Sequence, residues 1–159
     1  MIDKKDLKFV ADYLIKRDET VAVAESVTAG LIMNLFSLTQ NASQFFQGGV
    51  VAYNLGQKAR HLDVEPIHAE EKNCVSGPVA EQMARCVALK FCASWGIGIT
   101  GYAVPVPELD ISSCFAFYAF VYKGTVASSG RLETKLRGQF NVQQYFASQI
   151  VKVLKAHFL

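Results

Sequence analysis

The feature that most constrains this chain is a recurring local order: a short apolar run of strand length, a polar turn, then apolar residues at helical spacing. Val21-Ala22-Val23-Ala24 is closed by Glu25-Ser26. Thr28 to Phe36 then reads as a helix with a hydroxyl residue at its entry. Gly48 to Tyr53 forms a second run and leads into a polar helix through Gln57, Lys58, Arg60 and Leu62. Pro66 and Asn73 bracket a short connecting stretch. Ser76-Gly77-Pro78 marks the next helix start, with a hydroxyl cap and proline in the first turn, and that helix runs to about Cys92. Gly96 to Gly101 is a third strand. Strand, tight turn and helix in this order are the unit of an α/β fold.

The flanking segments complete the pattern. Leu7, Val10, Ala11, Leu14 and Ile15 recur at helical spacing and predict a first amphipathic helix over residues 4–17. Pro105 and Pro107 make the stretch from Tyr102 to Asp110 a loop. Cys114 to Tyr122 is a long strand, Lys123-Gly124-Thr125 turns the chain, and Val126 to Leu136 returns as a hairpin partner. Phe146, Ile150, Val153 and Leu154 place a last helix at the C-terminus. The sum is an α/β fold, a three-layer α/β/α sandwich with a mixed sheet of about five strands. Its first three strands are expected to be parallel and adjacent, with the hairpin at one side. No linker or repeat divides the 159 residues, so residues 1–159 read as a single domain.

Composition narrows the function classes. Hydrophobic residues at 51% and charged residues at 19% can fill a core and exclude intrinsic disorder. Sixteen Lys and Arg against 14 Asp and Glu leave +2, too little for a dedicated nucleic-acid binder. No apolar stretch approaches the ~20 residues of a membrane span. The N-terminus runs straight into the first helical pattern without a signal-peptide core. Cys74, Cys86, Cys92 and Cys114 never reach CxxC spacing and read as free thiols in a reducing cytoplasm. His61, His68 and His157 are scattered, so a metal site has little support.

Chemistry in such sheets gathers where strands end and helices begin. Three strand ends carry polar residues here: Glu25-Ser26, Tyr53 and Thr100. Ser26 falls next to the free N–H groups of a helix start, a place that can hold an oxyanion or a phosphate. A serine needs a base to act as a nucleophile, and no histidine falls at a strand end. Lys58, desolvated beside such an end, can serve, with Tyr53 relaying or orienting. From spacing alone, an N-cap serine, an edge tyrosine and a solvated lysine remain the simpler explanation. Gly48-Gly49 and Gly96-Ile97-Gly98 match neither GxGxxG nor a P-loop and read as places of close strand–helix packing. Phe115, Phe117, Tyr118, Phe120 and Tyr122 read as core rather than as a base-stacking platform.

Several blocks together resemble a known family. Ala24-Glu25-Ser26-Val27-Thr28-Ala29-Gly30 is similar to the AES-x-TGG motif of the CinA C-terminal domain. Phe46 to Asn54 resembles that family's F-x-x-G-x-V-x-Y-[ST]-N run, and Lys58 stands at its N-x-x-K lysine. Val75-Ser76-Gly77-Pro78-Val79 is similar to V-S-x-x-V, and Gly98 to Pro105 to the TGIAGP loop. The blocks keep the family's order across nearly the whole chain. The resemblance implies a three-layer sandwich resembling anticodon-binding domains. It also implies a metal-free amidohydrolase that converts nicotinamide mononucleotide to nicotinate mononucleotide and ammonia. On that basis Ser26 is the candidate nucleophile and Tyr53 and Lys58 its activating pair. Thr100 is a substrate-site hydroxyl, and Arg137 matches the arginine of a GDR segment. Glu25, Thr28, Gly30, Ser76 and Gly101 are expected on the substrate side. No cofactor is implied; the expected partners are a small nucleotide or amide substrate and further copies of the chain.

The departures fall at one end of the site. Ala29 replaces a glycine, Tyr102 an isoleucine and Val104 a second glycine. The glycine-rich stretch and KPVGT motif are replaced by Val106 to Cys114, which brings Glu108 and Asp110, and Asn141 stands where a second arginine is common. Valine hinders close backbone approach, and the loss of cations weakens any hold on a phosphate. The alternatives are therefore a related enzyme acting on another small amide or ester, or a catalytically silent domain that works by binding or oligomerisation.

Overall fold

The computed structural model describes residues 3–159. Its five strands are β1 (Val21–Glu25), β2 (Phe46–Val51), β3 (Trp95–Gly101), β4 (Cys114–Tyr122) and β5 (Thr125–Thr134), in the spatial order β2-β1-β3-β4-β5. β1 pairs in parallel with β2 and with β3, while β3–β4 and β4–β5 are antiparallel. The three parallel strands and the lateral hairpin are as the sequence predicts. Six helices cover the sheet: α1 (Lys4–Lys16), α2 (Leu31–Ser37), α3 (Leu55–Leu62), α4 (Pro66–Glu71), α5 (Gly77–Lys90) and α6 (Gln139–Phe158).

The layers follow from strand alternation. Val21 and Val23 point to a core shared with α1, α2 and α6, whereas Ala22 and Ala24 point to a second core under α3, α4 and α5. On β4, Ala116, Tyr118 and Phe120 face the first core, and Ala119 and Val121 meet Ala80 and Ala84 of α5. Glycine permits the closest approaches. A Cβ on Gly96 would lie 2.0 Å from the Ala84 carbonyl oxygen and one on Gly98 2.1 Å from that of Ala80, so α5 rests directly on the backbone of β3.

Two local expectations need correction. The stretch between Pro66 and Asn73 is not a mere connection, because residues 66–71 form α4. Glu65 accepts from the N–H groups of Ile67 (2.9 Å) and His68 (2.8 Å), and Pro66 occupies the first turn. The helix after β1 begins at Leu31 rather than at Thr28, entered through Gly30 in the left-handed region at φ 97°. The proline-containing loop carries a short 3-10 turn at Pro107–Leu109. Among the described residues, no helix is long and apolar enough to cross a membrane.

Candidate active site

The carboxyl end of β1 lies between those of β2 and β3, and the chain leaves β1 and β2 toward opposite faces of the sheet. That divergence opens a crevice of the kind where α/β sheets bind ligands. Ser26 enters it directly after β1. Its backbone N–H donates to the Ile99 carbonyl (3.1 Å), and the Ala52 N–H donates to Glu25 (2.9 Å), so the strand pairing continues to the lip of the crevice.

Lys58 comes from the first turns of α3. Asn54 caps this helix by accepting from the Gln57 N–H (3.0 Å), and the helix turns Lys58 inward, toward the sheet. Its side chain is only 2% exposed and its Nζ lies 2.9 Å from Ser26 Oγ. Burial pushes the Lys58 ammonium below the ordinary lysine range, opposed in part by the nearby Cys74 thiol. The surface-lysine explanation therefore fails for Lys58. A desolvated amine within hydrogen-bond reach of a hydroxyl is the arrangement that lets a serine shed its proton.

Tyr53 lines the same cavity but hydrogen-bonds neither partner and is 61% exposed. Backbone alternation explains this: Ala52 turns into the core, so Tyr53 turns out. Two members of the expected trio touch, and the third stands at the mouth.

The remaining residues divide between lining and support. Thr100 and Gly101 line the cavity, which has a volume of about 320 Å³. The buried Thr100 hydroxyl donates to the Cys74 carbonyl (2.7 Å), which fixes one wall. Glu25 is fully buried. Its carboxylate accepts from the Thr28 hydroxyl (2.5 Å) and from the N–H groups of Gly30 (3.0 Å), Ile32 (3.2 Å) and Met33 (2.8 Å). The helix start expected to hold an anion is thus already filled by an internal carboxylate. Thr28 and Gly30 belong to that same cap. Ser76 caps α5 by accepting from Val79 (3.3 Å) and pairs with His68 Nε2 (2.9 Å). Arg137 is exposed in the connection after β5, outside the cavity wall.

Spacing did not point to Asn54, Asn73, Cys74, Val75 or Gln139, which also line the cavity. Asn73 and Cys74 adopt φ of 50° and 62°, an unusual pair of left-handed residues between α4 and α5. Their backbone is held by bonds to Glu70 and Ala69. The Glu65-Pro66 helix start was the one available signal that a turn must follow here. Among the described residues, no group of three His, Cys, Asp or Glu side chains is placed to hold a metal ion.

The sequence model of the CinA C-terminal domain matches residues 3–156. The chain belongs to the CinA C-terminal domain family. A CinA-like protein of Prochlorococcus marinus (strain NATL1A) is 43% identical over 105 residues, covering 65% of this chain and 24% of that protein. Another, from Rippkaea orientalis, is 35% identical over 125 residues, covering 79% of this chain and 29% of that protein. This CinA-family domain thus spans about a quarter of the length of these relatives. Its fold matches the crystal structure of a CinA superfamily protein from Klebsiella pneumoniae 700603, with a TM-score of 0.90 at 21% identity over 97% of this chain and 96% of the other. It also matches a competence or damage-inducible protein from Enterobacter asburiae, with a TM-score of 0.87 at 22% identity over 98% and 97%.

Proposed function

We propose that this CinA-family domain is a serine amidohydrolase in which Lys58 activates Ser26. The observation that carries this reading is the buried 2.9 Å contact between Lys58 Nζ and Ser26 Oγ. Desolvating a lysine is costly, and a purely structural role would be served at lower cost by an apolar side chain. The same contact argues against a silent domain.

The neutral Lys58 amine takes the Ser26 proton as Oγ attacks the carboxamide carbon. The resulting ammonium returns that proton to the leaving nitrogen, and ammonia departs from an acyl-serine. Water, deprotonated by the same amine, then attacks the acyl carbon; the acyl–Oγ bond breaks, the ammonium returns the proton to Ser26 Oγ, and the acid leaves. The net reaction is amide plus water to acid plus ammonia. Positioned proton transfer of this kind contributes about 10²–10⁴-fold. Tyr53, at the mouth, is placed to orient substrate rather than to carry the proton.

By resemblance, nicotinamide mononucleotide is the reference substrate, hydrolysed to nicotinate mononucleotide. A second reading, the same chemistry on a different small amide, is favoured by the wall carrying Tyr102 and Val104 in place of smaller family residues. Four unpaired cysteines support a reducing, cytoplasmic setting. Ammonia release by the purified protein tests the reaction. Ser26→Ala and Lys58→Ala are each expected to lower it by about 10³-fold or more, and by similar factors, because the two act as a unit. Release that persists in both variants would overturn the assignment.

A further inference from the structure

The Ser26 cavity is bridged at one side by a polar contact between two walls that are far apart in sequence. Asn73 Nδ2, from the turn between α4 and α5, donates to the Tyr102 hydroxyl (3.1 Å), from the loop after β3. Both residues line the cavity. Each end is braced. The Tyr102 N–H donates to the Phe115 carbonyl (2.8 Å), and its ring meets that of Phe115 edge to face at 5.3 Å. Phe115 is in turn covered by the Arg131 guanidinium, 4.0 Å from its ring centre. Arg131 is thereby engaged on β5 and with Glu133 (3.6 Å).

An amide and a phenol that share one hydrogen bond keep further valences. Whichever way the Asn73 amide is turned, the pair retains a donor and an acceptor bordering the cavity. Electrostatics adds a second restriction. Among the described residues lining the cavity, Lys58 is the one formally charged side chain, and it is buried against Ser26. The helix start beside Ser26 is filled by Glu25. A dianionic group entering this site would lose water and find no cation in its lining beyond Lys58, which Ser26 already engages.

Resting on the Ser26–Lys58 reading, the geometry points to a specificity device: Asn73 and Tyr102 hold the uncharged polar part of a small amide, and the site selects against a phosphorylated one. The substrate class is a neutral-tailed carboxamide, such as a nucleoside-level rather than a nucleotide-level compound.

The test uses one molecule with and without its phosphate, nicotinamide riboside and nicotinamide mononucleotide. Dissociation constants are measured by calorimetry on Ser26→Ala protein, so that turnover does not interfere. The riboside is expected to bind at least about tenfold more tightly. Tyr102→Phe and Asn73→Ala, each added to Ser26→Ala, are expected to weaken its binding severalfold and to narrow the difference. In the active protein the same two changes should raise KM for the riboside and leave kcat nearly unchanged. Equal or tighter binding of the mononucleotide, with Arg137 as the cation to examine, overturns the proposal, as does binding of neither compound. Asn73 and Tyr102 variants that bind like their parent overturn the role of the pair. The dyad is checked separately by the nitrophenolate burst from p-nitrophenyl acetate. A burst lost in Ser26→Ala and Lys58→Ala keeps the dyad even when the specificity device fails. No burst at all removes the dyad, and the proposal falls with it.

Discussion

A lysine ammonium taken out of water loses hydration that a single serine hydroxyl replaces only in part, which is why burial depresses the basicity of Lys58. The unfolded chain holds this proton up to the ordinary value of 10.5, whereas the folded chain releases it earlier. Stability therefore rises with pH between the depressed value and 10.5, because the unfolded state binds more protons in that window. Lys58→Met is expected to stabilise the fold at neutral pH, and its advantage is expected to shrink as pH climbs toward 10.5; thermal melts of both proteins across that range check this. A constant difference at every pH would mean that Lys58 is not desolvated. The other buried groups show how local environment decides reactivity. The Cys86 thiol donates to Asp63 Oδ2 at 3.3 Å, and burial together with that carboxylate pushes it up to about 11, which makes it a poor nucleophile. Glu25 reads in sequence as a site residue because it adjoins Ser26, yet its oxygens serve four donors of the following turn and helix. Adjacency in sequence could not separate these roles, since neighbouring residues at a strand end point to different sides.

Elements with a strong apolar period were legible: α1, α5, β1, β3 and β4 lie within one or two residues of where spacing puts them. The β4–β5 turn was legible too, with Lys123 and Gly124 both at positive φ (47° and 84°), as a tight hairpin requires. By contrast α4 was missed, because its six residues contribute a single buried side chain, Ala69, and so carry no apolar stripe. The start of α2 was misplaced because its N–H groups are capped by a glutamate several residues upstream rather than by a hydroxyl at the entry. At this scale the tightest constraint is α5 on β3. Gly98→Ala places a methyl 2.1 Å from the Ala80 carbonyl oxygen and 2.8 Å from the Ala84 nitrogen, neither of which can rotate away. The helix must lift, so the change is expected to cost about 3 kcal/mol, readable as a lowered denaturant midpoint with an unchanged slope. A loss below roughly 0.5 kcal/mol would show that the two elements are not packed backbone to backbone.

The whole molecule is organised by one sheet that both cores share, so neither face can unfold without exposing the other. The single tryptophan lies on the first-core side of this sheet: Trp95 Nε1 donates to Glu19 (2.8 Å), and its ring lies 4.5 Å from that of Tyr122 and 5.1 Å from that of Phe158. Tryptophan fluorescence and far-ultraviolet circular dichroism are therefore expected to give coincident unfolding midpoints in urea, and separated midpoints would show independent layers. The sequence by itself determined the strand–turn–helix order, the parallel half of the sheet with its lateral hairpin, and the motif order that places the chain in its family. The element order is written in short-range periodicity, which hydrophobic patterning reads directly, whereas the family placement rests on the resemblance of the motif blocks. The tertiary structure alone decided that Lys58 is buried on Ser26 while Tyr53 faces out, and that Asn73 closes on Tyr102. Those pairs lie 32 and 29 residues apart, and what each side chain becomes depends on which distant segment displaces its water.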